Sequence, residues 1–164
     1  FADSVRMLRD HGQSEKYVHR TRFGINARLD AIQAGILDVK LARLEAWNER
    51  RRAIAAIYDA ELSGVAGIVT PHAPANGHHV YHLYVILVDE RDRLQQRLRD
   101  LGVATGLHYP IPVHLQEAFA DQGYRRGDLP TTEQVADTLL SLPMFPHMTD
   151  TQVEHVIDAV RRSV

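Results

Sequence analysis

The chain has 164 residues, of which 45% are hydrophobic and 24% are charged, and its formal net charge is −2 at pH 7. This composition is typical of one globular domain with a buried core, and it lacks the strongly basic character that favours nucleic acids and anionic membranes as partners. Cysteine is absent, which excludes disulfides, thiolate metal sites and cysteine nucleophiles.

No apolar run reaches membrane-spanning length, and the first residues do not form a signal peptide, so we expect a cytoplasmic protein. The chain opens on Phe1 without an initiator methionine. Val5, Met7 and Leu8 lie among charged residues like the end of a helix, and Gly12 is a residue type that commonly ends helices. We therefore expect the chain to be part of a larger protein.

A long helical arm is predicted next. Apolar residues from Leu29 to Leu44 keep helical spacing, and a second stripe runs from Trp47 to Leu62. Nothing between the two stripes forces a break, so the sequence allows either one bent helix or two. Gly64 is expected to end the arm.

The arm opens on the run GINARLDAIQA, residues 24–34. A helix entrance offers unpaired backbone N–H groups and the positive end of the macrodipole, which suit an anion. Asn26 and Arg28 are residue types that would complete such a site. The alternative is that Asn26 caps the helix while Arg28 and Asp30 are solvated, and this segment alone favours the cap.

From residue 64 onward the sequence predicts a helix-rich α/β fold with a small sheet of about three strands. The predicted elements are a short strand at residues 68–69, a buried strand over 80–88, a helix that Asp89 caps and Gly102 ends, a short strand over 103–107, a helix from Pro130 to about Ser141, and a last helix that the capping box of Thr149 and Gln152 begins.

The chain has ten histidines, four of which (His72, His78, His79 and His82) cluster in sequence. Their spacing matches no zinc framework and no carboxylate joins them, so we expect no metal site; a histidine-based metal protein stays open as a weaker alternative. His82 is predicted to lie in the buried strand, packed in the core or facing a pocket.

His108 and Tyr109 follow a predicted strand and enter a segment stiffened by Pro110 and Pro112. Side chains in such a segment point outward but are held rigidly, an arrangement that functional sites favour. A surface loop that its prolines merely shape is an equal alternative.

Nucleophilic and phosphate-binding motifs are absent: the sequence contains no GxSxG, GxxxxGK[ST] or GxGxxG run. Lys16 and Lys40 are its two lysines, and neither lies in an apolar setting that would suit Schiff-base chemistry.

Six stretches, in order and spacing, resemble the C-terminal part of the DegT/DnrJ family of sugar aminotransferases, which use pyridoxal 5'-phosphate (PLP). They are RMLRDHGQSEKYVH, GINARLDAIQAGIL, LEAWNERRRAIAAIY, HHVYHLYVI, GVATGLHYPIPVHLQ and LLSLPMFP. The resemblance spans essentially the whole chain. It implies the small C-terminal domain of the aspartate-aminotransferase-like fold (fold type I), with a mainly antiparallel sheet: residues 1–63 would be the end of the large domain plus a connecting arm, and 64–164 the small domain.

The resemblance also implies amino transfer from glutamate or glutamine to a keto group on a nucleotide-linked sugar, in a homodimer. Asn26 would contact the PLP phosphate across the dimer, with Arg28 as a second cofactor contact. His108 and Tyr109 would line the substrate pocket, with His82 as a further member. The Schiff-base lysine would lie upstream, so this chain alone is expected to be inert. A non-enzymatic sensory or dimerisation module is the alternative.

Overall fold

The computed structural model describes residues 1–74 and 76–164. The chain folds into two compact units, Phe1–Leu44 and Glu45–Val164. The expected boundary between an arm and a small domain at residues 63 and 64 stays a prediction.

The first unit contains helix α1 (Ala2–Arg9), strands β1 (Gln13–Glu15) and β2 (Val18–His19), and helix α2 (Ala31–Leu41). The two strands pair antiparallel. Gly12, with φ 73°, turns the chain after α1, and its N–H donates to the carbonyl of Met7 at 2.9 Å. A Cβ at this position would lie 2.3 Å from the carbonyl oxygen of Thr21, so the turn requires glycine.

The apolar side chains of α2 face solvent. Ile32 is 80% exposed and Val39 is 68% exposed, and the helix buries none of its described residues. Helix α2 ends at Leu41 and the next helix begins at Leu44, so the predicted arm consists of two helices. An apolar helix face of this kind is stabilised only when another surface covers it.

The second unit contains most of the regular structure. Its elements are helix α3 (Leu44–Leu62, whose first residue belongs to the first unit), strand β3 (Tyr84–Leu87), helix α4 (Arg91–Asp100), two short 3-10 helices (Val113–Leu115 and Glu117–Gln122), helix α5 (Pro130–Thr138), strand β4 (Leu139–Leu142) and helix α6 (Asp150–Ser163).

The sheet of this unit is small and antiparallel, as expected. Strands β3 and β4 pair in the register Tyr84↔Leu142 to Leu87↔Leu139. Single bridges extend it on both sides, Val69↔Leu87 beside β3 and Gly106↔Ser141 beside β4. The predicted strand over residues 103–107 is therefore only one bridge, and the predicted strand over 80–88 shortens to four residues.

The predicted helix from Pro130 to about Ser141 was wrong at its C-terminal end. Helix α5 ends at Thr138, and Leu139 takes an extended conformation with ψ 141°. All four residues of β4 are buried. Pairing with β3 in the core decides their conformation, and the local helical pattern does not.

The core lies between the sheet and helices α3, α4 and α6. Its largest fully buried side chains are Tyr58, Tyr84, Ile54, Leu62, Ile86, Leu98, Leu140, Val153 and Val160. The Tyr58 hydroxyl donates to the carbonyl of Pro143 at 3.0 Å, and the Tyr84 hydroxyl donates to Asp59 Oδ1 at 2.5 Å. Burial raises the pKa of both phenols, and the bond to Asp59 raises that of Tyr84 further.

The helix ends differ in how far local sequence predicts them. The Thr149–Gln152 capping box is confirmed, with both reciprocal hydrogen bonds formed. Gly102, with φ 79°, follows α4 as predicted. The cap assigned to Asp89 was wrong, because Glu90 occupies the N-cap position and makes no side-chain capping bond. None of the described helices is long and apolar enough to span a membrane, and the cytoplasmic location stays a prediction.

Candidate functional site

Asn26 lies on an extended segment and not at a helix entrance. Its backbone bridges to Asp10, and the N–H groups of Ile25 and Ala27 donate to the carbonyls of Leu8 and Arg9, each at 2.8 Å. A cap at Asn26 would start the helix at Ala27, whereas α2 starts four residues later, at Ala31, with Asp30 as its N-cap residue. The interpretation of Asn26 as a helix cap was therefore wrong, because backbone pairing with residues 8–11 holds it in place.

The side chains of Asn26 and Arg28 are both exposed, and the described residues give the Asn26 amide no hydrogen-bond partner. Arg28 Nη1 lies 3.5 Å from Asp10 Oδ1, an ion pair that is 55% and 39% exposed. An amide donor and a guanidinium on one hydrogen-bonded segment suit a phosphate chemically. The two predicted cofactor contacts therefore share a local scaffold.

Lys16 and Lys40 are both exposed. The Lys16 ammonium lies 5.0 Å from the centre of the Tyr17 ring, a cation–π contact at the surface. A lysine that reacts with a carbonyl is normally activated by desolvation or by a neighbouring cation. Neither lysine has an apolar enclosure.

His108 is held from one side by the sheet. Its Nδ1 lies 2.8 Å from Oγ of Ser141, a residue of β4 that is 3% exposed. A Cβ on Gly106 would lie 2.6 Å from His108 Cε1 and within 3.4 Å of both ring nitrogens. The imidazole thus lies against the bare backbone of Gly106, while the side chain as a whole remains exposed.

Tyr109 lies beside His108, with ring centres 5.7 Å apart in an edge-to-face arrangement, and is 74% exposed. The structure therefore brings these two predicted residues together at the surface of the second unit. Their outward orientation agrees with the prediction for a proline-stiffened segment.

His82 does not lie in the strand, contrary to the prediction. Strand β3 begins at Tyr84, and His82 is exposed in a bend before it. Tyr81 takes a φ of 48°, which breaks the extended run, and its N–H donates to His79 Nδ1 at 3.0 Å.

The sequence reasoning missed a buried pair formed by His114 and Glu133. His114 Nε2 lies 3.0 Å from Glu133 Oε1, and the carboxylate also accepts the backbone N–H groups of Gly127 and Leu129. Burial pushes the pKa of Glu133 upward, but these three donors outweigh it and hold the pKa below its ordinary value. The pair fastens the segment after Tyr109 to helix α5.

Ser141 was missed as well, because the predicted helix covered it. The available signal was one hydroxyl in the apolar run Leu139–Leu142, since a buried polar side chain requires a partner. Within residues 1–74 and 76–164, no group of three or more His, Cys, Asp or Glu is placed to hold a metal ion. The expected lack of a metal stays a prediction.

Comparison with known proteins assigns the chain to a family. The model of the DegT/DnrJ/EryC1/StrS aminotransferase family matches residues 1–161. The chain belongs to this family. The resemblance seen in six stretches of sequence is confirmed, and the match extends over nearly the whole chain.

Relatives within the family are named as enzymes and as regulators. The chain is 44% identical over 160 residues to the "dTDP-3-amino-3,4,6-trideoxy-alpha-D-glucose transaminase" of Streptomyces venezuelae, covering 98% of this chain and 42% of the relative. It is also 44% identical over 160 residues to the "Erythromycin biosynthesis sensory transduction protein EryC1" of Saccharopolyspora erythraea, covering 98% of this chain and 43% of the relative. The chain thus spans less than half the length of these family members.

Solved structures of family members have the same fold. The crystal structure of DesV from S. venezuelae matches with a TM-score of 0.91 at 43% identity, covering 98% of this chain and 43% of that one. An aminotransferase of the DegT/DnrJ/EryC1/StrS type from Brucella abortus matches with a TM-score of 0.85 at 35% identity, covering 98% and 43%. These matches confirm the predicted fold class.

Proposed function

We propose that this chain is the C-terminal portion of a PLP-dependent aminotransferase that transfers an amino group from glutamate or glutamine to a keto sugar carried on a nucleotide. The observation that carries the proposal is the family match over residues 1–161. Support comes from relatives named as transaminases of dTDP-linked and UDP-linked sugars, at 44% and 38% identity. Because the chain spans about 43% of such relatives, the remaining parts of the enzyme belong to residues outside it.

PLP, when bound, supplies an electron sink for the bonds broken during amino transfer. Asn26 donates an amide N–H to the cofactor phosphate, and Arg28 contributes a positive charge nearby. Backbone pairing to residues 8–11 supports this assignment, because it fixes the segment that carries both side chains. The ion pair with Asp10 would hold the Arg28 guanidinium on the same segment as Asn26.

The enzyme acts as a homodimer, and Asn26 of one protomer serves the site of its partner. The exposed apolar face of α2 supports association, because Ile32, Ile36 and Val39 are each more than half exposed. Covering such a face by a second protomer would remove it from water.

His108 and Tyr109 contact the nucleotide-sugar substrate, the imidazole by hydrogen bonding and the phenol by stacking and its hydroxyl. Their adjacent, outward-facing rings support this role. His82 is retained only as a substrate contact at the margin of the site, since it is exposed and lies in the bend before β3 instead of in the strand. Neither Lys16 nor Lys40 acts as the covalent cofactor lysine, and the chain alone is inert.

The experiment uses the longer polypeptide that contains this chain, assayed for amino transfer to keto sugar nucleotides. Asn26→Ala should weaken PLP binding by about 10- to 100-fold, the contribution of a hydrogen bond to a charged group. Asn76→Ala, another exposed asparagine, is the matched control and should leave PLP affinity unchanged. Equal PLP affinity in both variants would contradict the cofactor role of Asn26.

Subunit mixing tests the action of Asn26 across the dimer. One protomer carries Asn26→Ala, and the other lacks the cofactor-binding lysine of the longer protein. At a PLP concentration that leaves the Asn26→Ala homodimer largely empty, mixed dimers should regain activity, since one site then has both residues. If the mixture stays as inactive as its two parents, Asn26 acts within its own protomer.

A regulatory protein is the second candidate. Its support is the names of two relatives, the EryC1 "sensory transduction protein" and a "Pleiotropic regulatory protein" of Geobacillus stearothermophilus, which is 43% identical over 161 residues. A non-enzymatic regulatory role predicts that the longer protein shows no amino transfer and that Asn26→Ala leaves target gene expression unchanged. Amino transfer that Asn26→Ala lowers favours the enzyme.

A further inference from the structure

Ser141 is an unusual residue for its position. It is 3% exposed and lies in β4 among Leu139, Leu140 and Leu142, all of which are buried. Removing a hydroxyl from water is unfavourable unless it forms a hydrogen bond. Core packing alone therefore does not explain a serine at position 141.

The sheet itself does not use the hydroxyl. The N–H of Ser141 donates to the carbonyl of Gly106 at 2.8 Å, and its carbonyl accepts the N–H of Gly106 at 3.0 Å. On the other side, Ser141 stands opposite Val85 in the ladder of β3 and β4. Because backbone pairing is complete without the side chain, an alanine would serve the sheet equally well.

The hydroxyl has one hydrogen-bond partner among the described residues, Nδ1 of His108 at 2.8 Å. Gly106 makes this contact possible. A Cβ there would lie 2.6 Å from His108 Cε1, so any other residue would occupy the space of the ring. One backbone bridge thus carries both the residue that binds the imidazole and the residue that leaves room for it.

We propose that Ser141 is a positioning residue that, together with Gly106, holds the His108 imidazole by Nδ1 and leaves Nε2 as the nitrogen that contacts the ligand. This inference rests on the proposed function, in which His108 touches the nucleotide sugar. When the neutral imidazole carries its proton on Nε2, the serine hydroxyl donates to Nδ1 and Nε2–H is a donor to a ligand oxygen. The same hydroxyl accepts from Nδ1–H when the ring is charged, so the orientation persists in both states.

The first test is ligand-free NMR on this chain, with His108 assigned by comparison with His108→Gln. The wild-type chain should show proximity between the His108 Hε1 proton and the Gly106 α protons, and two distinct ring ¹⁵N shifts. Ser141→Ala should remove the proximity signal and draw the ring shifts toward those of the exposed His72. Ser141→Thr keeps the hydroxyl and should retain the wild-type pattern.

Ser163→Ala is the matched control, because Ser163 is similarly buried at 4% exposure but lies in α6. It should leave His108 unchanged. Absence of proximity between His108 Hε1 and the Gly106 α protons in the wild-type chain would overturn the proposal. This outcome does not depend on whether the variants fold. An unchanged His108 signal in folded Ser141→Ala would overturn it as well.

The second test is kinetic and uses the longer protein. Ser141→Ala should raise KM for the nucleotide sugar by about 2- to 12-fold, the net value of one hydrogen bond, with kcat changed much less. Altered NMR signals together with an unchanged KM would refute the contact between His108 and substrate, which belongs to the proposed function. Unaltered NMR signals refute the positioning role whatever the KM.

Discussion

Replacing Gly106 by alanine should displace His108 and leave the fold intact. The added Cβ would meet His108 Cε1 at 2.6 Å, so the ring must move by about 1 Å to reach ordinary contact distance. A movement of this size takes the 2.8 Å bond to Ser141 outside hydrogen-bonding range. The exposed imidazole is free to move, whereas the backbone bridge at Gly106 is not.

The magnitude follows from two opposing contributions. Leaving the buried Ser141 hydroxyl without a partner costs about 1–3 kcal/mol. Alanine recovers about 0.5–1 kcal/mol, since glycine loses more conformational freedom on folding and Gly106 does not occupy the positive-φ region. The net loss therefore lies between zero and about 2.5 kcal/mol, which corresponds to a Tm lower by up to roughly 10 °C for a chain of this size.

Thermal unfolding of Gly106→Ala, Ser141→Ala and the double variant measures this coupling. In the double variant no hydroxyl is left unpaired, so the two losses should fall short of additivity by about 1 kcal/mol or more. Gly64→Ala is the control, because a Cβ at Gly64 meets no atom within 4 Å. Additive effects, or an unmoved His108 in Gly106→Ala, would contradict the coupling of Gly106 and Ser141 through His108.

Two further predictions concern buried ionisable groups. Glu133→Gln should lower Tm more than Glu154→Gln on the exposed face of α6, because it weakens acceptance from three N–H donors. The folded-state pKa of Glu133 is lowered, so the stabilisation by this carboxylate should be present above about pH 4.5 and disappear as pH falls below that value. A Tm difference between Glu133→Gln and wild type that persists unchanged at pH 3 would contradict this. The folded-state pKa of Tyr84 is raised, so its contribution to wild-type stability should be complete below pH 10 and fall as pH rises further. Tyr84→Phe should have a lower Tm at neutral pH, and its Tm should change less with pH above pH 10. Parallel curves of Tm against pH for the two proteins would count against the Tyr84 hydrogen bond as the cause.

Local signals predicted local features correctly. The capping box involves two residues only three positions apart, Thr149 and Gln152, and the turn after α4 depends on the single residue Gly102. The end of α5 was misplaced because Leu139–Leu142 carries no local signal that separates a buried helix from a buried strand. Only its pairing with β3 decides between them.

The missed parts of the site depend on contacts between distant residues. Ser141 meets His108 across 33 positions, and His114 meets Glu133 across 19. No sequence spacing predicts either pair, because a sheet bridge brings the first pair together and a loop brings the second pair together. The histidines and the proline-stiffened segment were visible in the sequence, but their partners required the fold.

Asn26 shows a different limit. Sequence placed it at a helix entrance, whereas the structure places it on an extended segment bridged to Asp10. The dipole argument for anion binding therefore does not apply to it, since α2 begins only at Ala31. Its proposed role rests on family membership and on the donor chemistry of its exposed amide.

We propose that this chain supplies phosphate and substrate contacts to a PLP enzyme but not the lysine that binds the cofactor. The most direct measurement is to treat the purified chain with one equivalent of PLP, reduce it with borohydride, and locate any adduct by mass spectrometry. We predict no stoichiometric adduct on Lys16 or Lys40, whereas the longer protein should carry one on a lysine outside this chain. A specific stoichiometric adduct on either Lys16 or Lys40 would contradict the claim.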